Sequence, residues 1–177
     1  MNVKNNILIG VMIVVCFILQ CTVFPSLSFG GIRPNLLIIV TSVFGFMRGK
    51  KCGLLVGFFS GLLCDIFFND LLCFYALIYM YIGFINGFFN RLFYREDIKL
   101  PLALITGSDL LFGLINYVLL FLLRSRFNFP FYTIHTIIPE VVYTVLVAMP
   151  LYPIILFINH NFDANKKRSA GKFVQKY

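Results

Sequence analysis

Three carboxylates stand in stretches otherwise fit for hydrocarbon: Asp65, Asp109 and Glu140. An ionised side chain at membrane depth is costly unless a cation, hydrogen-bond donors or a wet cavity meets it. Two kinds of chemistry would use such acids. One is a relay that passes protons or cations, which calls for several groups at mid-depth. The other is structural, each acid pairing with an arginine or with a neighbouring hydroxyl or amide. At about 1.5 Å per helical residue, Asp65 and Glu140 fall toward one membrane face and Asp109 nearer the midplane. A single mid-depth acid favours the structural reading. Arg33 falls on the same side as Asp65 and is its candidate partner. Asp109 has Thr106, Ser108 and Asn116 on its own helix, with Asn116 seven residues on and so on the same face.

Asp65 also ends a row. Gly53, Gly57 and Gly61 precede it at four-residue spacing. Glycines spaced this way leave a groove on one helix face where another backbone can approach closely. A lone G-x-x-x-G carries little information. Successive glycines ending in an acid, after the basic turn Arg48-Gly-Lys-Lys51, are more specific and predict a helix-packing seam. Its partner, an internal helix or another protein, stays open at this level. No other chemistry stands out. The 5 cysteines contain no C-x-x-C pair, and they lie in or beside apolar segments, where a thiol behaves as a small hydrophobe. His135 and His160 stand singly near segment ends. There is no P-loop, no H-E-x-x-H and no G-x-S-x-G, and Gly30-Gly31 reads as a turn. We therefore expect no catalytic residue, no cofactor and no metal site.

The elements that position these residues are membrane helices. Of the 177 residues, 60% are hydrophobic and 12% charged, with a mean hydropathy of +0.90. A soluble domain is about half apolar and roughly a quarter charged. Six apolar segments follow one another: 7–24, 36–47, 52–68, 71–89, 100–123 and 134–158. The second falls short of the roughly 17–25 residues a span needs. It either borrows residues 29–32 or is a half-helix buried among neighbours. The first has a basic start at Lys4, but no small-x-small cleavage site before Phe24, and reads as a retained helix. With the N-terminus in the cytoplasm, Arg48, Lys50, Lys51, Arg91, Arg95 and Lys99 fall inside, as do the basic residues of the tail. Arg33, Arg124 and Arg126 fall outside. This satisfies the positive-inside rule. It also accounts for the net charge of +8 without nucleic-acid binding. The expected organisation is a six-span, all-α domain over residues 1–160, N-in and C-in, followed by a basic cytoplasmic tail over 161–177.

Several local patterns occur together: Arg33-Pro34-Asn35 opening an apolar helix, Arg48-Gly-Lys-Lys51, the row Gly53, Gly57, Gly61, Asp65, then Ala76-Leu77 and the pair Gly83 and Gly87. Pro139-Glu140-Val-Val-Tyr143 and Pro150-Leu-Tyr-Pro153 follow near the end. This arrangement resembles the MreD family of rod shape-determining proteins over roughly residues 7–158. It departs from the family pattern at Cys73, where glycine is expected, and at Asn35, where aspartate is frequent. The resemblance implies a six-helix build similar to the substrate-binding subunits of energy-coupling-factor vitamin transporters. It implies a non-enzymatic subunit of the bacterial cytoplasmic (inner) membrane that organises lateral peptidoglycan synthesis and cell shape. The partners implied are MreC and the cell-wall synthases, RodA and a penicillin-binding transpeptidase, with the MreB filament engaged indirectly. The alternative is a vitamin-like small-molecule binding subunit of a membrane transporter.

Overall fold

The computed structural model describes the backbone of residues 3–26, 32–68, 73–92, 98–124 and 133–174. Asp70, Arg126 and the Gly30-Gly31 turn lie outside the described residues, as do the side chains of Arg124, His160 and the basic tail. The described chain is all-helical. Its α-helices are α1 (Val3–Ser26), α2 (Leu36–Arg48), α3 (Lys50–Phe68), α4 (Phe74–Asn86), α5 (Lys99–Arg124) and α6 (Ile138–Val174). A 3-10 stretch, Gly87–Leu92, extends α4, and a π turn, Thr133–Ile137, leads into α6.

Among the described residues, 4 helices are long and apolar enough to cross a membrane: Asn6–Ser26, Lys50–Phe68, Lys99–Leu119 and His135–Asn159. Large apolar side chains such as Ile7, Val11, Phe59, Phe67, Val142 and Phe157 are exposed on them. This is the arrangement lipid demands, with backbone groups satisfied inside each helix and hydrocarbon facing hydrocarbon. The other two helices have 13 residues each. α4 reaches roughly 30 Å only when its 3-10 extension is added. α2 is about 20 Å long and has no such extension.

The reason α2 can be short is its position. Leu36 through Met47 are all buried, so α2 is the hub around which the longer helices pack. Of the two expectations for the second segment, the buried short helix is the one observed. Asn35 caps it, the side-chain oxygen accepting from Ile38 N at 3.2 Å. Gly49 ends it at φ 88°, a left-handed conformation glycine adopts without steric cost, and α3 turns straight back. α1 contributes only a narrow stripe, Ile9, Ile13, Cys16 and Phe17. α6 runs unbroken past residue 160 to Val174, so the basic tail continues the last helix. Pro150 and Pro153 sit within α6, as membrane helices tolerate.

Candidate functional site

The glycine row lies against α4 of the same chain. A Cβ placed on Gly57 would fall on the Tyr79 carbonyl oxygen, with the Tyr79 carbonyl carbon at 2.6 Å and Met80 N at 2.9 Å. At Gly61 it would meet Ala76 Cα at 2.5 Å. At Gly53 it would fall on the Gly83 carbonyl and reach Gly45 Cα at 2.7 Å, while a Cβ on Gly83 would fall on the Gly53 carbonyl in return. Gly45 of α2 completes the junction, its added Cβ lying 2.6 Å from the Gly83 oxygen. All of these are backbone atoms, so no side-chain rotation could relieve the overlap. Gly45 continues the four-residue spacing backward through Gly49, but the turn at Gly49 places it on α2, so it meets the row from a second helix.

Asp65 continues the row and reaches the start of α4. Its two oxygens accept from Tyr75 N and Ala76 N, each at 2.9 Å, and the residue is 0% exposed. The first N–H groups of a helix have no intrahelical acceptor, and the helix dipole places positive potential there. A carboxylate answers both needs. α4 requires this outside help because its own cap residue, Cys73, makes no side-chain cap bond and is left-handed at φ 71°. Backbone N–H groups thus hold Asp65 in place of the guanidinium expected; Arg33 is exposed.

Near the same end, five helices and the stretch before α2 meet around a polar chamber of about 210 Å³. Gln20, Arg33, Asn35, Tyr75, Tyr79 and Glu140 line it. Its walls are tied by hydrogen bonds between elements. Tyr79 donates its hydroxyl to Asn35 Oδ1 at 2.8 Å. Asn35 N donates to Thr144 Oγ1 of α6 at 3.1 Å, and Leu37 N to Gln20 Oε1 of α1 at 3.3 Å. Tyr75 and Tyr79 both pack on Phe112 of α5, with ring centroids 5.6 and 5.2 Å apart.

The charges of the chamber are not matched by one another. Arg33 and Glu140 line the same cavity, yet neither forms an ion pair or hydrogen bond among the described residues. Asp109 lies three residues before Phe112 and is only 2% exposed. The Thr144 hydroxyl lies beside it, but its carboxylate oxygens close no hydrogen bond of ordinary length. The partners expected on its own helix are engaged elsewhere or apart. Thr106 donates to the Leu102 carbonyl at 2.8 Å, Ser108 accepts from Asn86, and Asn116 makes no hydrogen bond to it.

Uncharged amides do much of the remaining tying, and reasoning centred on acids passed over them. Asn86 Nδ2 donates to Ser108 Oγ at 2.7 Å, to the Ile82 carbonyl at 2.9 Å and to Ser42 Oγ at 3.4 Å, joining α4 to α5 and α2. At the end away from Arg33, Arg48 Nε and Nη2 donate to Asn159 Oδ1 at 2.9 and 2.6 Å. Asn90 Nδ2 donates to the Phe46 carbonyl at 2.7 Å. The available signal was an amide in an otherwise apolar run, since a buried amide must find partners.

Among the described residues, no group of three or more His, Cys, Asp or Glu side chains is placed to hold a metal. No curated protein and no solved structure matches the chain. The family described as rod shape-determining protein MreD matches residues 1–160, a range that takes in every residue of the seam and the chamber, and the chain belongs to that family.

Proposed function

We propose that this protein is a non-enzymatic, multi-pass subunit of the bacterial elongation machinery in the cytoplasmic membrane. In this reading it organises lateral peptidoglycan synthesis with MreC, RodA and a penicillin-binding transpeptidase, and engages the MreB filament indirectly. Both termini are cytoplasmic, the Arg33 end faces outward, and the end bearing Arg48, Lys50, Lys51 and Arg91 faces inward, in keeping with the positive-inside rule. The observation that carries the proposal is that the close-packed glycine contacts are used up inside the molecule. The glycines of α2, α3 and α4 pack on one another, and Asp65, Asn35 and Asn86 tie helices of the same chain. What remains outward is apolar surface on α1, α3, α4, α5 and α6, suited to lateral association with other membrane helices.

The chamber bears on a second reading, a transporter's binding subunit. Its volume, about 210 Å³, is below the roughly 300–1,000 Å³ of drug-sized ligand sites, which speaks against a vitamin-sized ligand. Depletion of the protein in a rod-shaped or ovoid host, with pull-down from gently solubilised membranes, separates the two. The scaffold reading expects rounded cells and recovery of MreC with cell-wall synthases. Normal shape, with an energising ATPase module recovered instead, would refute it.

A further inference from the structure

We infer that the chamber at the Arg33 end is a binding site for a compact zwitterion, its cation held between Glu140 and the tyrosine faces and its anion by Arg33. The opposite charges of Arg33 and Glu140 border one cavity without closing on each other. Arg33 is exposed at the mouth and Glu140 half-buried beside it, so both charges are open to a ligand that enters the chamber. A zwitterion supplies both complements at once. A lone cation would engage Glu140 alone, and a lone anion Arg33 alone.

The walls fit this division. The cation side has the Glu140 carboxylate and the rings of Tyr75 and Tyr79, steadied by Phe112. Aromatic faces and a carboxylate together form an ammonium site. Asp109 is buried near this side, and its carboxylate oxygens close no hydrogen bond among the described residues. On the other side Arg33 precedes Pro34 in the extended stretch before α2. Its guanidinium offers the planar fork that suits phosphate or carboxylate. A chamber of about 210 Å³ lies below the roughly 300–1,000 Å³ of drug-sized sites and suits a small ligand. This is the scale of phosphoethanolamine, whose ammonium and phosphate stand two carbons apart. The same chemistry comes from two sources, a soluble zwitterion or the headgroup of phosphatidylethanolamine. The assignment does not depend on the role proposed above in cell-wall synthesis.

The test is thermal unfolding of the full chain, stripped of lipid, in detergent and in nanodiscs. In detergent, phosphoethanolamine should raise the melting temperature saturably, and ethanolamine or inorganic phosphate alone at the same concentration should do so far less. Arg33→Gln and Glu140→Gln should each weaken half-saturation by about tenfold or more, the loss of one charge-assisted contact. If either variant does not fold, Arg33→Lys or Glu140→Asp replaces it, with a smaller weakening of the same sign. Nanodiscs distinguish the sources. Stabilisation by phosphatidylethanolamine over phosphatidylglycerol, with no further gain from the soluble probe, identifies a headgroup; a gain from the probe in both bilayers identifies a free ligand. The inference is overturned by an absence of response in detergent and nanodiscs, by an equal response to ethanolamine or phosphate alone, or by variants that respond like the parent protein.

Discussion

Replacing Gly57 by alanine sets two physical effects against each other, and the structure decides the sign. In an exposed helix position Gly→Ala stabilises by roughly 0.5–1 kcal/mol, because glycine has more backbone freedom to lose. At Gly57 the new methyl would lie 2.6 Å from the Tyr79 carbonyl carbon and 2.9 Å from Met80 N, where ordinary contact begins at 3.4 Å. Both are backbone atoms, so α4 as a whole must retreat by about 1 Å, a gap that already forfeits a quarter to a half of each dispersion contact across the seam. Overpacking of this kind costs about 1–3 kcal/mol. The same retreat pulls Tyr75 N and Ala76 N away from Asp65, whose hydrogen bonds of 2.9 Å are charge-assisted and contribute about 1.5–3 kcal/mol each when intact. The net expectation is a loss of roughly 2–4 kcal/mol. Gly107→Ala is the control: it lies on α5 with nothing within 4 Å of an added Cβ, and should gain up to about 1 kcal/mol. Equilibrium unfolding of both variants in one detergent reads the difference. A Gly57→Ala protein as stable as Gly107→Ala would mean that the α3–α4 interface is not closed as described.

Asp65→Asn should cost less than Asp65→Leu, because an amide keeps one acceptor for the α4 N-terminus, whereas leucine leaves two buried N–H groups unmet at about 1–3 kcal/mol each; denaturation midpoints of the pair would show it. Cys73→Gly should stabilise by about 0.5–1 kcal/mol, since a left-handed residue with a Cβ pays roughly 1–2 kcal/mol that glycine avoids, less the entropy glycine loses. With the Arg33 end outward, a membrane-impermeant maleimide applied to intact spheroplasts should label exposed Cys73. Labelling of Cys73 only after lysis would reverse the proposed topology. Asn86→Leu should destabilise by about 2 kcal/mol or more, because it removes the donor that joins Ser108, Ser42 and the Ile82 carbonyl, and a melting curve indistinguishable from the parent's would refute that role.

The long helices were legible because hydropathy over 18 or more residues reports lipid contact directly. α2 was ambiguous for the same reason. Its twelve buried residues from Leu36 to Met47 carry no signal that separates protein burial from lipid burial. The seam could be read from Gly53, Gly57 and Gly61, since four-residue spacing places them on one face. Its partner could not, because Gly45 and Gly83 reach it from other helices through tertiary placement alone. Asp65 was noticed for the cost of its charge, but a backbone partner leaves no trace in residue type. Asp109 shows the same limit from the other side: Thr106 and Ser108 adjoin it in sequence, yet rotate away to the Leu102 carbonyl and to Asn86. The departures from the family pattern did carry structural content. Cys73 occupies a left-handed position that suits glycine, and Asn35 supplies the capping oxygen that aspartate would also supply.

The contacts among α2, α3 and α4 have a consequence for biogenesis. These helices are consecutive in the chain, and their glycine junction and the Asp65 cap use only residues from Gly45 to Gly83. Contacts between near neighbours in sequence form with little loop-closure cost. The tightest joint of the protein can therefore close while α5 is still being synthesised. The two helices too short to hold a bilayer alone then enter it already sheltered by α3, and the later helices dock onto a finished centre.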